Sequence, residues 1–344
     1  MDIYLPIAEV SVNWPTLVIL GAVVGFVSGL FGIGGGFLIV PALMLATAMP
    51  IRFAVGTSLV AVFALGAALI GDMRLGRGPQ TDIIAVGASA TDYIGHTFGT
   101  QGSEMCIQMN ELDHSIGGFL AQLDQWGLDY EVVLTADHGA HDMTERQQQR
   151  AMPMEARVNA DVTAKTIGAA IGRDMGIAGP VLLASEGDVY VADDVPPARR
   201  AAVIAEAVKR FSAQPQVAAA LTRQQIAATP MPTTPPETWT LLERARASFD
   251  PDRSGDFLVL LRPRVTTIAK PGPGYVETHG SPWDYDRRVP ILFWRKGIAG
   301  FEQPLSVETV DIVPTLAATI NLPVSGLDGR CLDLDSSAAS SCVR

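Results

Sequence analysis

The sequence is short of basic residues, cysteine and histidine. Only 25 lysines and arginines stand against 36 aspartates and glutamates, for a net charge of -11. Such a chain cannot neutralise a phosphate backbone broadly, which argues against nucleic acid as a structural partner. No basic cluster precedes the first apolar run, and that run is too long for the core of a secretory leader, so a cleaved signal peptide is disfavoured. Three cysteines allow one bridge and leave one thiol over. No Pro-, Gly- or Ser-rich linker separates the apolar beginning of the chain from its acidic remainder, as evolved domains usually have. With 344 residues the chain has room for a large core and about two domains.

What is present begins with hydrophobicity. Residues 17–48 carry no charge and are too long for one perpendicular membrane span of roughly 20 residues. Phe31-Gly-Ile-Gly-Gly-Gly-Phe37 and Pro41 interrupt the run, which suits a helix broken at depth. A second run, residues 53–71, is just long enough to span. Two or three membrane helices over residues 1–71 are therefore expected. Residues 1–80 balance three acids with three arginines, so the negative charge belongs to the rest of the chain.

The remainder places three of the five histidines in short motifs: Thr-Asp-Tyr-Ile-Gly-His ending at His96, Thr-Ala-Asp-His-Gly ending at Gly139, and Glu-Thr-His-Gly ending at Gly280. Asp92 and His96 are spaced i, i+4 and share one side of a helical turn. Asp137 and His138 are adjacent and can share an ion only where a strand is ending, as the apolar run 130–134 before them suggests. Imidazole with carboxylate suits a borderline divalent ion such as zinc. His279 lies far along the chain and joins them only through folding. His114 reads as a solvated helix residue, while His141, three residues after His138, is ambiguous between a residue away from the site and one that lines it as an outer-layer or substrate-contacting group.

From about residue 73 these motifs resemble the alkaline phosphatase superfamily, and within it the PafA-like periplasmic branch that uses threonine as nucleophile. The matching segments are residues 81–99, 133–139, 275–292 and 310–317. The resemblance implies a two-zinc phosphoric monoester hydrolase, with Asp92, His96 and His279 on one zinc and Asp137 and His138 on the second. It also implies an α/β fold with a mainly parallel sheet flanked by helices, and a cap inserted at roughly 180–265. The chain departs from the family in showing no segment with the first-strand aspartate, the nucleophile or the phosphate-holding Asn and Lys/Arg residues. The catalytic nucleophile is therefore unassigned, weak turnover is expected because covalent catalysis and positioning are each worth several powers of ten, and poor solubility is expected of a sheet lacking its central strands.

The apolar beginning resembles a different family, the sulfite exporter (TauE/SafE) transporters, through residues 30–43 and Val55-Gly-Thr-Ser-Leu59. With the join between residues 64 and 73, the chain reads as a fusion: a transporter-like membrane fragment at 1–71 and a phosphatase-like part at 72–344. A transporter fragment with a non-catalytic passenger is the alternative function. Arg52 in the short connection favours a cytoplasmic loop, which puts the phosphatase-like part in the periplasm and the chain in the inner membrane; Arg74 and Arg77 argue the other way.

Further expectations are a buried strand at 81–89, an amphipathic helix at 105–126, a strand pair at 180–192, a helix at 197–220, a strand at 257–262 and a loop at 230–236; the phosphatase resemblance implies a closing helix at 310–322. Arg262, Arg264 and Lys270 could approach a substrate, but solvated surface is the favoured reading. Cys331 and Cys342 are spaced for a loop disulfide in an oxidising compartment, with Cys106 free and buried in its helix.

Overall fold

A computed structural model describes residues 2–5, 10–13, 15, 19, 70–71, 74–185, 187–335 and 340–342. The expected membrane runs at 17–48 and 53–71 lie, but for Ile19, Ile70 and Gly71, outside the described residues. Among the described residues no helix is long and apolar enough to cross a membrane. Two compact units emerge: Met1–Glu131 with Gly272–Glu277, and Val132–Pro271 with Thr278–Arg344.

In the first unit, β1 (Asp2–Leu5) pairs antiparallel with β2 (Val10–Asn13), Asp2 facing Asn13. Farther along, the described residues include α1 (Ala90–Phe98) and α2 (Ser103–Gln125). The stripe expected on α2 is present, with Leu123 buried and Leu112, Ile116, Phe119 and Leu120 partly covered. Residues 81–88 form no strand, contrary to the sequence reading. A strand needs a ladder partner for its N–H and C=O groups, none pairs with this segment among the described residues, and Ile83 remains 84% exposed. Cys106 is exposed rather than buried, because its position on α2 lies off the apolar stripe.

The second unit contains β3 (Glu131–Leu134) from its second residue onward, α3 (Thr144–Gln149), β4 (Ala156–Arg157), α4 (Ala164–Met175), β5 (Leu182–Ser185), β6 (Asp188–Val191), α5 (Pro197–Ser212), β7 (Val217–Thr222) and α6 (Arg223–Ala228). It continues through α7 (Leu241–Ala247), β8 (Phe257–Leu261), β9 (Val265–Thr266), α8 (Asp284–Arg287), β10 (Leu292–Arg295) and α9 (Ile312–Thr319). Its largest sheet has the order β5-β6-β8-β7 and is antiparallel throughout. This sheet lies within the stretch expected as the inserted cap, 180–265, and outside the mainly parallel sheet expected of the body. The short connection between β5 and β6 forces an antiparallel hairpin, since parallel neighbours need a long crossover. Parallel pairing occurs between β4 and β9, while β3 pairs with β10.

The helix expected at 197–220 ends at Ser212. Pro196 and Pro197 open it, a position where the missing N–H costs nothing. Pro215 then bars its continuation, and the alanines at 218–220 go into β7 because β8 supplies the ladder. Propensity yields to tertiary pairing at this point. One apolar cluster fills the space between α4, α5 and the sheet, including Ile171, Val181, Val203, Phe211 and Phe257. Burying each such side chain contributes about 1.5–3 kcal/mol. Phe211 and Phe257 meet with ring centroids 5.8 Å apart and planes at 56°, a tilt that suits the aromatic quadrupoles. Cys331 and Cys342 form a disulfide.

Candidate metal centre

In the first unit, α1 carries Asp92 in its first turn and His96 in its last. Ala90 and Ile94 bury the opposite side of the helix, which turns the Asp92/His96 side away from the packing. His96 Nε2 lies 3.4 Å from Asp92 Oδ2. The segment Gly272–Glu277 lies along the end of this helix. Val276 and Glu277 donate their N–H groups to the His96 carbonyl at 2.7 and 3.2 Å, Thr97 donates its hydroxyl to the Gly274 carbonyl, and the Tyr275 ring sits 5.0 Å from the imidazole.

The other nitrogen of His96 settles its tautomer. Nδ1 lies 2.7 Å from the Glu277 carbonyl oxygen, and a carbonyl can only accept, so Nδ1 carries the hydrogen. In the neutral ring Nε2 is then a lone pair facing a carboxylate. Two acceptors at this distance repel unless a cation lies between them. The hydrogen bond that His96 makes to Asp92 is the largest cause raising its pKa, burial opposes it, and the Glu277 carbonyl adds to the rise. Burial, with help from Asp92, pushes the Tyr93 phenol up.

In the second unit, β3 ends just before Asp137 and His138, where the sequence puts the strand end. His138 Nδ1 donates to the Gly139 carbonyl at 3.0 Å, and its Nε2 lies 3.7 Å from Asp137 Oδ2. The pattern seen at His96 recurs: the hydrogen is committed to a carbonyl and the lone pair is turned toward a carboxylate. The imidazole of His279 stacks on that of His138, with centroids 3.3 Å apart and planes at 12°. The structure thus pairs Asp92 with His96 in one unit and gathers Asp137, His138 and His279 in the other.

Two backbone features hold the second group. Gly139 donates its N–H to the Asp286 carbonyl at 2.7 Å, and a Cβ at position 139 would come within 2.2 Å of the Tyr285 carbonyl oxygen. Gly280 has φ +95°, a left-handed geometry that side chains resist. Farther along, Asp142 is buried and bound by Arg146 at 2.7 Å and Gln147 at 3.3 Å, which anchors the loop to α3.

His141 lies beside this group. Its Nδ1 donates to the Asp142 carbonyl at 2.8 Å and is 3.7 Å from Glu155 Oε2, and it meets the Tyr285 ring edge-on at 5.0 Å. His114 is an exposed helix residue, hydrogen-bonded to the Asn110 carbonyl. Arg264 is not simple surface: it has φ 67° and bonds the fully buried Glu155 at 2.6 Å.

Sequence reasoning missed Asp286. It is 4% exposed, Oδ2 accepts the Ser281 N–H at 2.7 Å, and Oδ1 is buried with no hydrogen-bond partner among the described residues. Burial raises its pKa above the usual carboxylate range, against the hydrogen bonds from Ser281 and the nearby His141 and His279. An acid between a tyrosine and two arginines looks like an ordinary solvated turn, and no spacing marks it.

The arrangement fits a divalent cation of zinc type by donor chemistry. It offers imidazole nitrogens whose second nitrogens are tied to carbonyls, the outer-layer arrangement that orients metal-binding histidines, and carboxylates on the Nε2 side of both rings.

Residues 52–282 match the family model for type I phosphodiesterase / nucleotide pyrophosphatase. The chain is 55% identical over 286 residues to the alkaline phosphatase PhoK of Sphingomonas sp, which covers 81% of this chain and 51% of the relative. It therefore spans about half the length of that curated relative. The fold is similar to the crystal structure of wild type alkaline phosphatase PafA, with TM-score 0.71 at 24% identity, over 80% of this chain and 52% of that one. A separate likeness, 64% identity over 42 residues, covers 12% of this chain and 16% of a probable membrane transporter protein of Xylella fastidiosa.

Proposed function

The chain belongs to the type I phosphodiesterase / nucleotide pyrophosphatase family, and from that premise we propose that it is a metal-dependent phosphoric monoester hydrolase of alkaline phosphatase type. In this reading Asp92, His96 and His279 hold one zinc ion, and Asp137 and His138 contribute to a second. The observation that carries the proposal is the Nδ1–H bond from His96 to the Glu277 carbonyl, which presents Nε2 as a ligand lone pair beside Asp92. Glu277 is also two residues from His279, so the covalent chain keeps their Cα atoms within about 7 Å.

When bound, zinc supplies Lewis acidity toward a phosphoryl oxygen. The chain supplies the rest. Asp92 and Asp137 provide negative charge that confines the cation, and the carbonyls of Glu277 and Gly139 hold His96 and His138 in one tautomer. Asp137 is 89% exposed on its side chain, which leaves room for a phosphate ester to approach. The resemblance to PhoK supports a monoester substrate, whereas the family model keeps diesters in view.

Phosphate release from an aryl phosphate monoester, measured beside the corresponding diester on detergent-purified chain with added zinc, tests the reading. Slow, zinc-dependent release from the monoester in excess over the diester is expected. Equal rates with and without zinc, or a preference for the diester, would overturn the assignment.

The transporter-like identity over 42 residues favours a second reading for the beginning of the chain: a membrane fragment of the sulfite exporter kind. It supports an inner-membrane location with the hydrolase part in the periplasm, where the Cys331–Cys342 disulfide is stable. Were this fragment the working part, with a non-catalytic passenger behind it, anion uptake into vesicles would register it; none is expected.

A further inference from the structure

We propose that Asp286 is the positioning residue that holds His138 and His279 in their stacked geometry; the proposal rests on the metal-site reading for its catalytic consequence but not for its geometry. The side chains and backbone close a ring of contacts. His138 is followed by Gly139, whose N–H is bonded to the Asp286 carbonyl at 2.7 Å. The Asp286 carboxylate takes the Ser281 N–H at 2.7 Å, and Ser281 leads back through Gly280 to His279, whose ring lies on His138 at 3.3 Å.

Each link has a reason to be there. A buried carboxylate that gains only one strong backbone donor sits at a cost, and Asp286 is 4% exposed with Oδ1 lacking a hydrogen-bond partner among the described residues. The bond it makes bends residues 281–286 into the turn that sends the Asp286 carbonyl toward Gly139 and sets the exit of the chain from His279. Gly280 at φ +95° supplies the remaining bend. Removing the carboxylate frees the His279 side of the ring while the backbone bond to Gly139 keeps the other side, so the expected lesion is loss of the stack and not of the fold.

The test uses the full chain with labelled histidines, of which there are only five. In the metal-free wild type the protons of two imidazoles should show the upfield ring-current shift of a face-to-face pair. Asp286→Ala should lose that shift. Asp286→Asn, which keeps an oxygen for Ser281, should retain it. Zinc affinity should follow, falling about 10- to 100-fold in Asp286→Ala as for loss of an outer-layer partner and remaining close to wild type in Asp286→Asn. An intact ring-current shift in Asp286→Ala would overturn the proposal, as would its equal loss in Asp286→Asn. If the wild type binds no zinc, the metal reading fails, while the ring-current comparison still decides the role of Asp286.

Discussion

Replacing His279 with alanine is expected to reduce zinc-dependent phosphate release by more than the 10- to 100-fold that loss of an outer-layer partner costs. The substitution removes a proposed ligand and also unstacks His138, its neighbour at 3.3 Å. Both proposed zinc positions are therefore affected by one change. The measurement is kcat and KM on an aryl phosphate at saturating zinc, and most of the loss should lie in kcat. A thermal transition unchanged from wild type would show that the deficit is local, because His279 belongs to no helix or strand and lies outside the apolar cluster of the second unit.

Gly139→Ala should cost stability outright. The added methyl would sit within 2.2 Å of the Tyr285 carbonyl oxygen and 3.2 Å of its carbon. These are backbone atoms with no rotamer into which to retreat. Overpacking usually costs about 1–3 kcal/mol, and the upper part of that range or beyond is expected because the bond from Gly139 to the Asp286 carbonyl must also lengthen. Thermal denaturation and soluble yield measure the effect. A variant with wild-type stability and intact zinc binding would mean that residues 284–286 stand off from the Asp-His-Gly turn.

The parts of this molecule legible from the sequence are those specified by local chemistry. The i, i+4 spacing of Asp92 and His96 places both on one side of α1, and an apolar run followed by Asp-His-Gly gives a strand ending at a loop, as β3 does. The α2 stripe follows from the helical period of its apolar residues, while the closing helix α9 is implied by the family resemblance. What failed depends on partners that a local pattern does not contain. Residues 81–88 have the composition of a strand but no ladder neighbour among the described residues, and the alanines after Pro215 have helical propensity but join β8. Cys106 was misplaced because one apolar-seeming side chain says little about its position relative to a helical stripe.

The site shows the same division. Its histidines and aspartates could be nominated from residue type, but not the groups that orient them. The Glu277 carbonyl on His96, the Gly139 carbonyl on His138 and the Asp286 carboxylate on Ser281 are backbone contacts or buried turn contacts. A backbone carbonyl has no sequence signature, and the charge of Asp286 reads as exposed until the fold buries it.

The central claim is that Asp92, His96 and His279 bind one divalent ion, and zinc bound per chain at equilibrium tests it most directly. Purified wild-type chain and His96→Ala should be dialysed against the same low free zinc and assayed for metal and protein. The account predicts at least one tightly held zinc in the wild type and the loss of one equivalent in His96→Ala. Equal zinc in the two, or none in either, would contradict it.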